Sequence, residues 1–355
     1  MKKILFSILS LSLCLAVSAQ TKWYEGYEMG LGGKVLDTQN PYHRADTSRY
    51  SFTGHEKNLV ISSGGLTLHF KTNSRNIRLV PEYGYINPGR TTNQLAVMGF
   101  DMYIRQGKGW LWAGAAVHRP GREDRPLNIV ANMDGTEHEC LIYLPMYSEL
   151  RSLKVGLDDG STMIPCEPDS KYRIVFHGSS FTMAVSASRS GMGYPQQFGR
   201  YTGMNVLGFG MSGNCKLQPA FAEALSHAQF DALVLDTFSN PSVEQIRERL
   251  FPFIETVQAA HPGVPLIFQR TIYRENRNFN KKLDAEEAER IQVADSLMAI
   301  ACKRYKDVYY IHPNATTKDH QSSVDGTHPG DYGYYIWEKS IEKKVLRILR
   351  KYGIK

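Results

Sequence analysis

The C-terminal part of the chain alternates short apolar runs with longer amphipathic stretches. Five apolar runs have the length and composition of buried strands, at residues 173–176, 205–207, 232–235, 265–268 and 308–311. Two stretches between them, at residues 243–260 and 285–305, repeat apolar positions at helical spacing. Strands that alternate with helices predict a parallel sheet covered by helices on both faces.

The chain before this region shows a different pattern. From Trp23 to Pro165, short runs with partial alternation of apolar and polar residues are separated by turn residues, for example at 63–65. We predict strands at residues 58–61, 66–70, 76–80, 101–104, 110–112 and 139–144. Because no long amphipathic stretch occurs here, the pattern predicts an all-β sandwich or jelly roll.

The two patterns meet at a short segment that contains Pro165 and Pro168. Proline interrupts both helices and central strands, so this segment is a natural boundary. We therefore predict three parts: a leader at residues 1–19, an N-terminal β domain at 20–167 and a C-terminal α/β domain at 168–355.

The first residues have the pattern of a secretory signal peptide. Lys2 and Lys3 precede an apolar run at residues 4–15, and small residues lead to a cleavage site near Ala19. The apolar run is too short for a stable membrane span, and no later run approaches about 20 apolar residues. The pattern predicts a secreted or periplasmic protein without stable membrane insertion.

A lipid anchor is not expected, although the leader contains a cysteine. Leu13 stands directly before Cys14, where a lipoprotein signal requires a small residue. The other four cysteines show no spacing typical of a zinc site. They are expected to be small buried residues with at most one disulfide, and their spacing names no pair: Cys140, Cys166, Cys215 and Cys302.

Composition and charge exclude some classes of protein. The chain has 355 residues, of which 42% are hydrophobic and 22% charged, as in globular domains. The formal net charge is +7, but Lys and Arg are scattered and mixed with Asp and Glu. This distribution does not indicate a nucleic-acid partner, and no motif indicates a metal or an organic cofactor.

One serine follows the first strand of the α/β domain almost directly. The run His177-Gly178-Ser179-Ser180 leaves the apolar residues 173–176, and open parallel sheets bind ligands at the carboxyl ends of their strands. We expect the Ser180 hydroxyl to face a cleft and its backbone N–H to lie at the start of a helix. Alone, this motif fits a helix cap as well as a nucleophile.

An aspartate and a histidine three residues apart lie near the end of the chain, in Asp325-Gly326-Thr327-His328. On a tight turn, the Asp325 carboxylate can accept a hydrogen bond from Nδ1–H of His328, which leaves Nε2 free as a base. The residues after His328 indicate that a helix begins soon afterwards. Alone, the pair also fits a solvated surface loop.

Two residues in the middle of the domain complete the set. Gly213 follows the second predicted strand and Asn240 follows the third. The backbone N–H groups of Ser180 and Gly213 and the amide of Asn240 are candidate donors to the charged oxygen that ester hydrolysis creates. Each is by itself more typical of a turn, but all lie in order at carboxyl ends of strands.

Together these motifs resemble the four sequence blocks of the SGNH/GDSL hydrolases. The resemblance implies a flavodoxin-like three-layer fold. It also implies that Ser180, Asp325 and His328 form the catalytic group, and that Ser180, Gly213 and Asn240 form the oxyanion hole. Ser179 stands where the family name implies an aspartate. Since relatives vary at this position, the assignment of the nucleophile is little affected.

Three further segments bear on the substrate. Residues 187–195 are similar to an ASRPG-like run of one subgroup, which implies that Arg189 lines the substrate pocket; a solvated arginine is the alternative. Residues 99–103, Gly-Phe-Asp-Met-Tyr, resemble the GxDLY motif of a β-sandwich domain that precedes such hydrolases. Trp110 and Trp112 alternate on one predicted strand, a pattern typical of core packing or of stacking on sugar rings.

The predicted function is therefore an exported serine esterase that needs no cofactor. The family and the compartment favour O-acyl, and above all O-acetyl, esters on carbohydrates, with a small molecule or an oligosaccharide as substrate. The same catalytic group would also serve a thioesterase, a lysophospholipase or an acyltransferase. A carbohydrate-binding protein with a degenerate hydrolase domain is the alternative outside enzymes.

Overall fold

A computed structural model describes residues 20–87, 89–119, 121–122 and 124–355. The predicted signal peptide, up to Ala19, lies outside these residues. Within the described part of the chain, no helix is both long enough and apolar enough to cross a membrane. The described residues form an N-terminal β region, residues 21–165, and a C-terminal α/β region, residues 173–351.

The β region contains ten strands: β1 (Thr21–Glu25), β2 (Leu31–Gly32), β3 (Thr67–Thr72), β4 (Ile77–Ile86), β5 (Phe100–Gln106), β6 (Gly109–Ala116), β7 (Leu127–Val130), β8 (His138–Tyr143), β9 (Ser148–Asp158) and β10 (Ile164–Pro165). They form two antiparallel sheets, with strand orders β1-β9-β4-β7 and β10-β3-β8-β5-β6, and β2 pairs with β3. Alternate residues of both sheets, such as Leu68, Phe70, Leu79 and Val155, are buried in one shared core. The sandwich prediction is confirmed.

One predicted strand of this region is wrong. Residues 58–61 end a helix, α1 (Gly54–Val60), instead of forming a strand. The Glu56 carboxylate accepts a hydrogen bond of 2.7 Å from the backbone N–H of Thr53, the reciprocal contact of a capping box. The Thr-x-x-Glu spacing was the sequence signal for this helix. A second short helix, α2 (Gln94–Met98), follows β4.

The α/β region is built on a parallel sheet of five strands: β11 (Arg173–Gly178), β12 (Asn205–Gly210), β13 (Ala232–Asp236), β14 (Leu266–Gln269) and β15 (Val308–Ile311). Its strand order is β12-β11-β13-β14-β15, which is the flavodoxin-like order. The helices are α3 (Tyr194–Thr202), α4 (Pro219–Ser226), α5 (Val243–Ala260), α6 (Lys281–Arg304) and α7 (Asp331–Lys351). The predicted α/β fold class is confirmed.

Helix α3 forms one of the contacts between the two regions. Arg200 of α3 is buried, and its guanidinium lies 4.0 Å from the ring of Tyr103 and 5.3 Å from the ring of Tyr143. A cation on an aromatic face away from water is attracted by the ring more strongly than at an exposed site. Arg200 Nη1 also donates to the carbonyl of Gly191 at 2.7 Å, so one side chain ties the helix, the loop before it and the outer face of a sheet.

Candidate active site

The structure brings three of the predicted residues into direct contact. His328 Nε2 lies 3.0 Å from Ser180 Oγ, and His328 Nδ1 lies 2.8 Å from Asp325 Oδ2. The ring of Phe181 meets the imidazole edge-on, with centroids 5.7 Å apart. A histidine held between a serine hydroxyl and a carboxylate in this way can take the hydroxyl proton.

A tight turn orients the Asp325 carboxylate toward the histidine. Asp325 Oδ1 accepts the backbone N–H groups of Thr327, at 2.9 Å, and His328, at 2.7 Å. Gly326 adopts φ +79°, in the left-handed region that glycine enters without strain. Partial burial raises the pKa of Asp325, but the hydrogen bonds from His328 outweigh it and hold the pKa below its usual value. Asp325 is therefore ionised at neutral pH and holds the proton on Nδ1.

The segment around Ser180 is not the start of a helix, and that prediction is wrong. Tight turns follow β11, with Val185 N–H donating to the Ser180 carbonyl at 3.0 Å. Ala184 and Ser186 have φ of +64° and +69°, values that end any α-helical course and are strained for these residues. The first α-helix after Ser180 is α3, which begins at Tyr194.

A buried carboxylate that the sequence reasoning missed supports this segment. Asp236, the last residue of β13, accepts hydrogen bonds from Ser179 Oγ at 2.6 Å and from Ser179 N–H at 3.2 Å. Thr182 Oγ1, at 3.3 Å, and Ser239 Oγ, at 3.1 Å, also donate to it. Burial raises the pKa of Asp236, and these donors oppose the rise. An aspartate at the carboxyl end of a buried strand was the available signal.

A chain of buried hydrogen bonds continues from Asp236 toward helix α7. Thr182 Oγ1 lies 2.8 Å from the Tyr194 hydroxyl, which accepts Gln269 Nε2–H at 3.1 Å. Gln269 Oε1 accepts the indole N–H of Trp337 at 2.8 Å. Because each of these buried polar side chains has a hydrogen-bond partner, the network holds the residues packed beneath the nucleophile segment in place.

The predicted oxyanion donors lie on neighbouring loops at the same edge of the sheet. Gly213 follows β12 with φ +69°, and Asn240 follows β13. Asn240 Oδ1 accepts the backbone N–H of Cys215 at 3.3 Å, which turns the amide NH₂ away from that loop. Within the described residues, no acceptor lies on the N–H groups of Ser180 and Gly213 or on Asn240 Nδ2. Free N–H donors on neighbouring loops at the edge of the sheet where Ser180 lies are of the kind that an oxyanion hole requires.

Arg189 contacts the β region rather than the three residues above. Its Nε donates to Asp101 Oδ1 at 3.0 Å, and its guanidinium lies 5.1 Å from the ring of Trp112. Asp101, the acid of the Gly-Phe-Asp-Met-Tyr run, is fully buried and also accepts the N–H of Gly191 at 3.0 Å. A role for Arg189 in substrate binding stays a prediction; the structure shows it in an ion pair between the regions.

The β region also reaches the edge of the site. Thr91 Oγ1 lies 2.6 Å from Ser186 Oγ and 3.4 Å from Asp325 Oδ2. The N–H of Ser186 donates to Thr92 Oγ1 at 3.2 Å. Hydrogen bonds from the β region thus help to hold the left-handed Ser186 close to the nucleophile.

Metal-binding side chains are not clustered in the part of the chain that the structure describes. No group of three or more His, Cys, Asp or Glu residues there has the arrangement of a metal site. The four cysteines of the described chain are free thiols.

Comparison with known proteins gives matches to families and to solved structures. Residues 171–347 match the GDSL-like Lipase/Acylhydrolase family, and residues 21–163 match the GxDLY family, the N-terminus of SGNH-hydrolase-type esterases. The sequence has no match among curated proteins.

Three solved structures illustrate the similarity. A protein from Bacteroides ovatus described as a GDSL-like lipase is 32% identical, with a TM-score of 0.87 over 93% of this chain and 98% of that one. The salicylyl-acyltransferase SsfX3 of a tetracycline biosynthetic pathway shares the fold at 17% identity, with a TM-score of 0.70 over 93% of this chain and 98% of that one. An acetyl xylan esterase from Butyrivibrio proteoclasticus shares the fold at 12% identity, with a TM-score of 0.55 over 94% of this chain and 100% of that one. The chain belongs to the GDSL-like lipase/acylhydrolase family.

Proposed function

We propose that the chain is an exported serine esterase that hydrolyses O-acyl esters, with Ser180 as its nucleophile. The observation that carries the proposal is the position of His328 between Ser180 Oγ, at 3.0 Å, and Asp325 Oδ2, at 2.8 Å. Free donors on Ser180, Gly213 and Asn240 supply the second requirement, a place for negative charge.

In the first step, Ser180 Oγ forms a bond to the ester carbonyl carbon while His328 Nε2 takes the hydroxyl proton. The carbonyl oxygen becomes negatively charged and is stabilised by the three free donors. The tetrahedral species then breaks its bond to the alcohol oxygen, which leaves with the proton from Nε2. The acyl group stays on Ser180, and Asp325 stabilises the imidazolium throughout without taking its proton.

In the second step, water replaces the alcohol. His328 Nε2 removes a proton from water as the oxygen attacks the acyl carbon, and the bond to Ser180 Oγ then breaks. The serine recovers its proton from His328, and the carboxylic acid is released. Every proton passes through one nitrogen, so the reaction needs no group beyond these residues and water.

We further propose that the substrate is an acetylated carbohydrate. The fold is shared with an acetyl xylan esterase, and the predicted signal peptide would bring the protein to extracellular polysaccharides. In this proposal the leader is residues 1–19, residues 20–167 form an accessory domain and residues 168–355 the catalytic domain. The same steps with an alcohol in place of water as acceptor would give an acyltransferase. The unbroken hydrogen bonds from Ser180 through His328 to Asp325 disfavour a degenerate, purely sugar-binding domain.

Acetate release from acetylated xylo-oligosaccharides tests the substrate. The purified chain is expected to release acetate faster from these than it cleaves p-nitrophenyl butyrate or a palmitoyl thioester, and Ser180→Ala to release none. Faster cleavage of the long acyl chain, or transfer of acetyl to an added alcohol in preference to water, would contradict the proposed substrate or reaction. Acetate release by Ser180→Ala would contradict the nucleophile.

A further inference from the structure

A cavity of about 150 Å³ lies between the two regions, away from the catalytic group. The outer face of a β-region sheet forms one wall, with Thr67, Arg105 and Trp110. The end of α3 and the start of β12 form the other, with Arg200 and Asn205. A water molecule needs roughly 10–15 Å³ of such space, so the cavity holds on the order of ten waters, enough for a small ring.

The cavity and the catalytic group lie at opposite edges of the parallel sheet. Asn205 is the first residue of β12 and pairs with Arg173, the first residue of β11. Ser180 follows Gly178, the last residue of β11. The five steps between the ends of this strand span roughly 16 Å at about 3.3 Å per residue. A ligand in the cavity would therefore occupy a second site.

Trp110 gives the cavity a fixed aromatic wall. The guanidinium of Arg105 lies 4.1 Å from its ring centroid, and the ring of His69 meets it edge-on at 5.6 Å. Arg105 is in turn paired with Glu139, at 3.2 Å, and with Asp169. The ring is thus held in place, and the charge of the arginine that covers one of its faces is already neutralised.

Several polar groups on the walls have no partner. Within the described residues, no hydrogen bond involves Thr67 Oγ1, the side-chain amide of Asn205, the Glu167 carboxylate or the indole N–H of Trp110. They include donors and acceptors, as hydroxyl groups require. The charged lining residues balance in sign: Arg105 and Arg200 against Glu167 and Asp169.

We infer that this cavity is a second ligand site, which binds a neutral, polyhydroxylated ring such as a pyranose sugar. The C–H face of such a ring packs on the indole of Trp110, since aromatic faces attract weakly positive C–H groups. Its hydroxyls pair with Thr67 and Asn205. A charged ligand is disfavoured because the cavity carries both signs in balance. The inference does not depend on the esterase proposal, since it uses none of the catalytic residues.

Calorimetric titration of the full chain with unacetylated methyl glycosides tests this site. The probes are methyl β-D-xylopyranoside, methyl β-D-glucopyranoside and methyl β-D-galactopyranoside. At least one is expected to bind with Kd on the order of 1 mM or tighter. Trp110→Ala should weaken that binding about tenfold or more and Thr67→Val about fivefold. Trp110→Phe should retain most of it.

Leu111→Ala is the matched control, because Leu111 is the next residue on the same strand, is 63% exposed and does not line the cavity. Its affinity for the glycoside should equal that of the native chain. Near-ultraviolet circular dichroism checks that each variant is folded. If Trp110→Ala does not fold, the glycoside affinity of the isosteric Thr67→Val variant tests the site instead. The inference is overturned if no glycoside binds, if a folded Trp110→Ala or Thr67→Val binds as the native chain does, or if a folded Leu111→Ala abolishes binding.

Discussion

The hydroxyl of Ser179 donates a hydrogen bond of 2.6 Å to the buried carboxylate of Asp236, 57 residues further along the chain. The backbone N–H of Ser179 donates to the same carboxylate. Ser180 is the next residue, so this contact anchors the nucleophile segment to the end of β13. It explains how the site is held with a serine where the family name implies an aspartate.

Ser179→Ala should therefore weaken both the fold and the reaction. Loss of a hydrogen bond to a buried carboxylate is expected to cost about 1.5–3 kcal/mol of unfolding free energy, and the looser segment should lower kcat by about tenfold or more. Urea unfolding and p-nitrophenyl acetate hydrolysis measure the two effects. In the Asp236→Asn background the same change should cost clearly less; an equal cost there would show that the residues are not coupled.

Asp325→Asn tests the orientation of the histidine. An amide in place of the carboxylate no longer fixes the proton on His328 Nδ1, so kcat should fall by about 10²–10⁴ with little change in stability. Asp319→Asn, an exposed aspartate six residues earlier in the same loop, should have no effect. Equal rates for both variants would mean that another group orients His328.

Asn240 is expected to act on the transition state rather than on the bound substrate. Asn240→Ala should lower kcat by about 10²–10³ and leave KM nearly unchanged. Asn240→Asp keeps an acceptor for the Cys215 N–H but removes the free NH₂ donor. It should be impaired at least as much, whereas near-native activity of Asn240→Asp would show that only the contact to Cys215 matters.

Arg189 is expected to join the two regions. Removal of its guanidinium leaves the buried Asp101 carboxylate with N–H donors from Gly191 and Trp112 but without the ion pair to Arg189, which costs about 1.5–3 kcal/mol. Arg189→Ala should accordingly lower the free energy of unfolding by about this amount. A rise in KM at unchanged stability would instead assign Arg189 to substrate binding.

The buried imidazole of His177 is expected to make the stability of the fold depend on pH. Burial, opposed by a bond to the Phe209 carbonyl, lowers its pKa to about 4 from the usual 6.5, so the folded chain keeps it neutral where the unfolded chain protonates it. Above pH 6.5 His177 therefore does not change the free energy of unfolding. As the pH falls from 6.5 to 4, it lowers the free energy of unfolding, by about 3 kcal/mol at pH 4. Denaturant unfolding of His177→Gln should show a shallower fall over this range; an identical fall would contradict the assignment.

The strands of the α/β region were predictable because they are buried on both faces. Runs such as residues 232–235 are continuous apolar segments of strand length, and α5 was predicted at its observed bounds, Val243–Ala260. The motif spacing also named Ser180 and His328, which the structure brings together across 148 residues.

The errors have two sources: one local capping signal was overlooked, and other interactions join residues that are distant in the sequence. The apolar run at 58–61 resembles a strand until the capping contact of Glu56 is considered. The absence of a helix at Ser180 depends on left-handed residues that distant hydrogen bonds hold in place, including that of Thr92. The role of Asp236 depends on donors such as Ser179, which lies 57 residues earlier in the chain, so its own sequence neighbours do not reveal it.

Labelling with a fluorophosphonate probe, followed by peptide mapping, tests the catalytic assignment most directly. The reagent forms a bond from phosphorus to an activated serine oxygen and loses fluoride, so it reports which hydroxyl is activated. We predict one adduct per chain, on Ser180, with loss of p-nitrophenyl acetate hydrolysis in proportion to labelling. Labelling of another residue, or full activity in a chain labelled at Ser180, would contradict it.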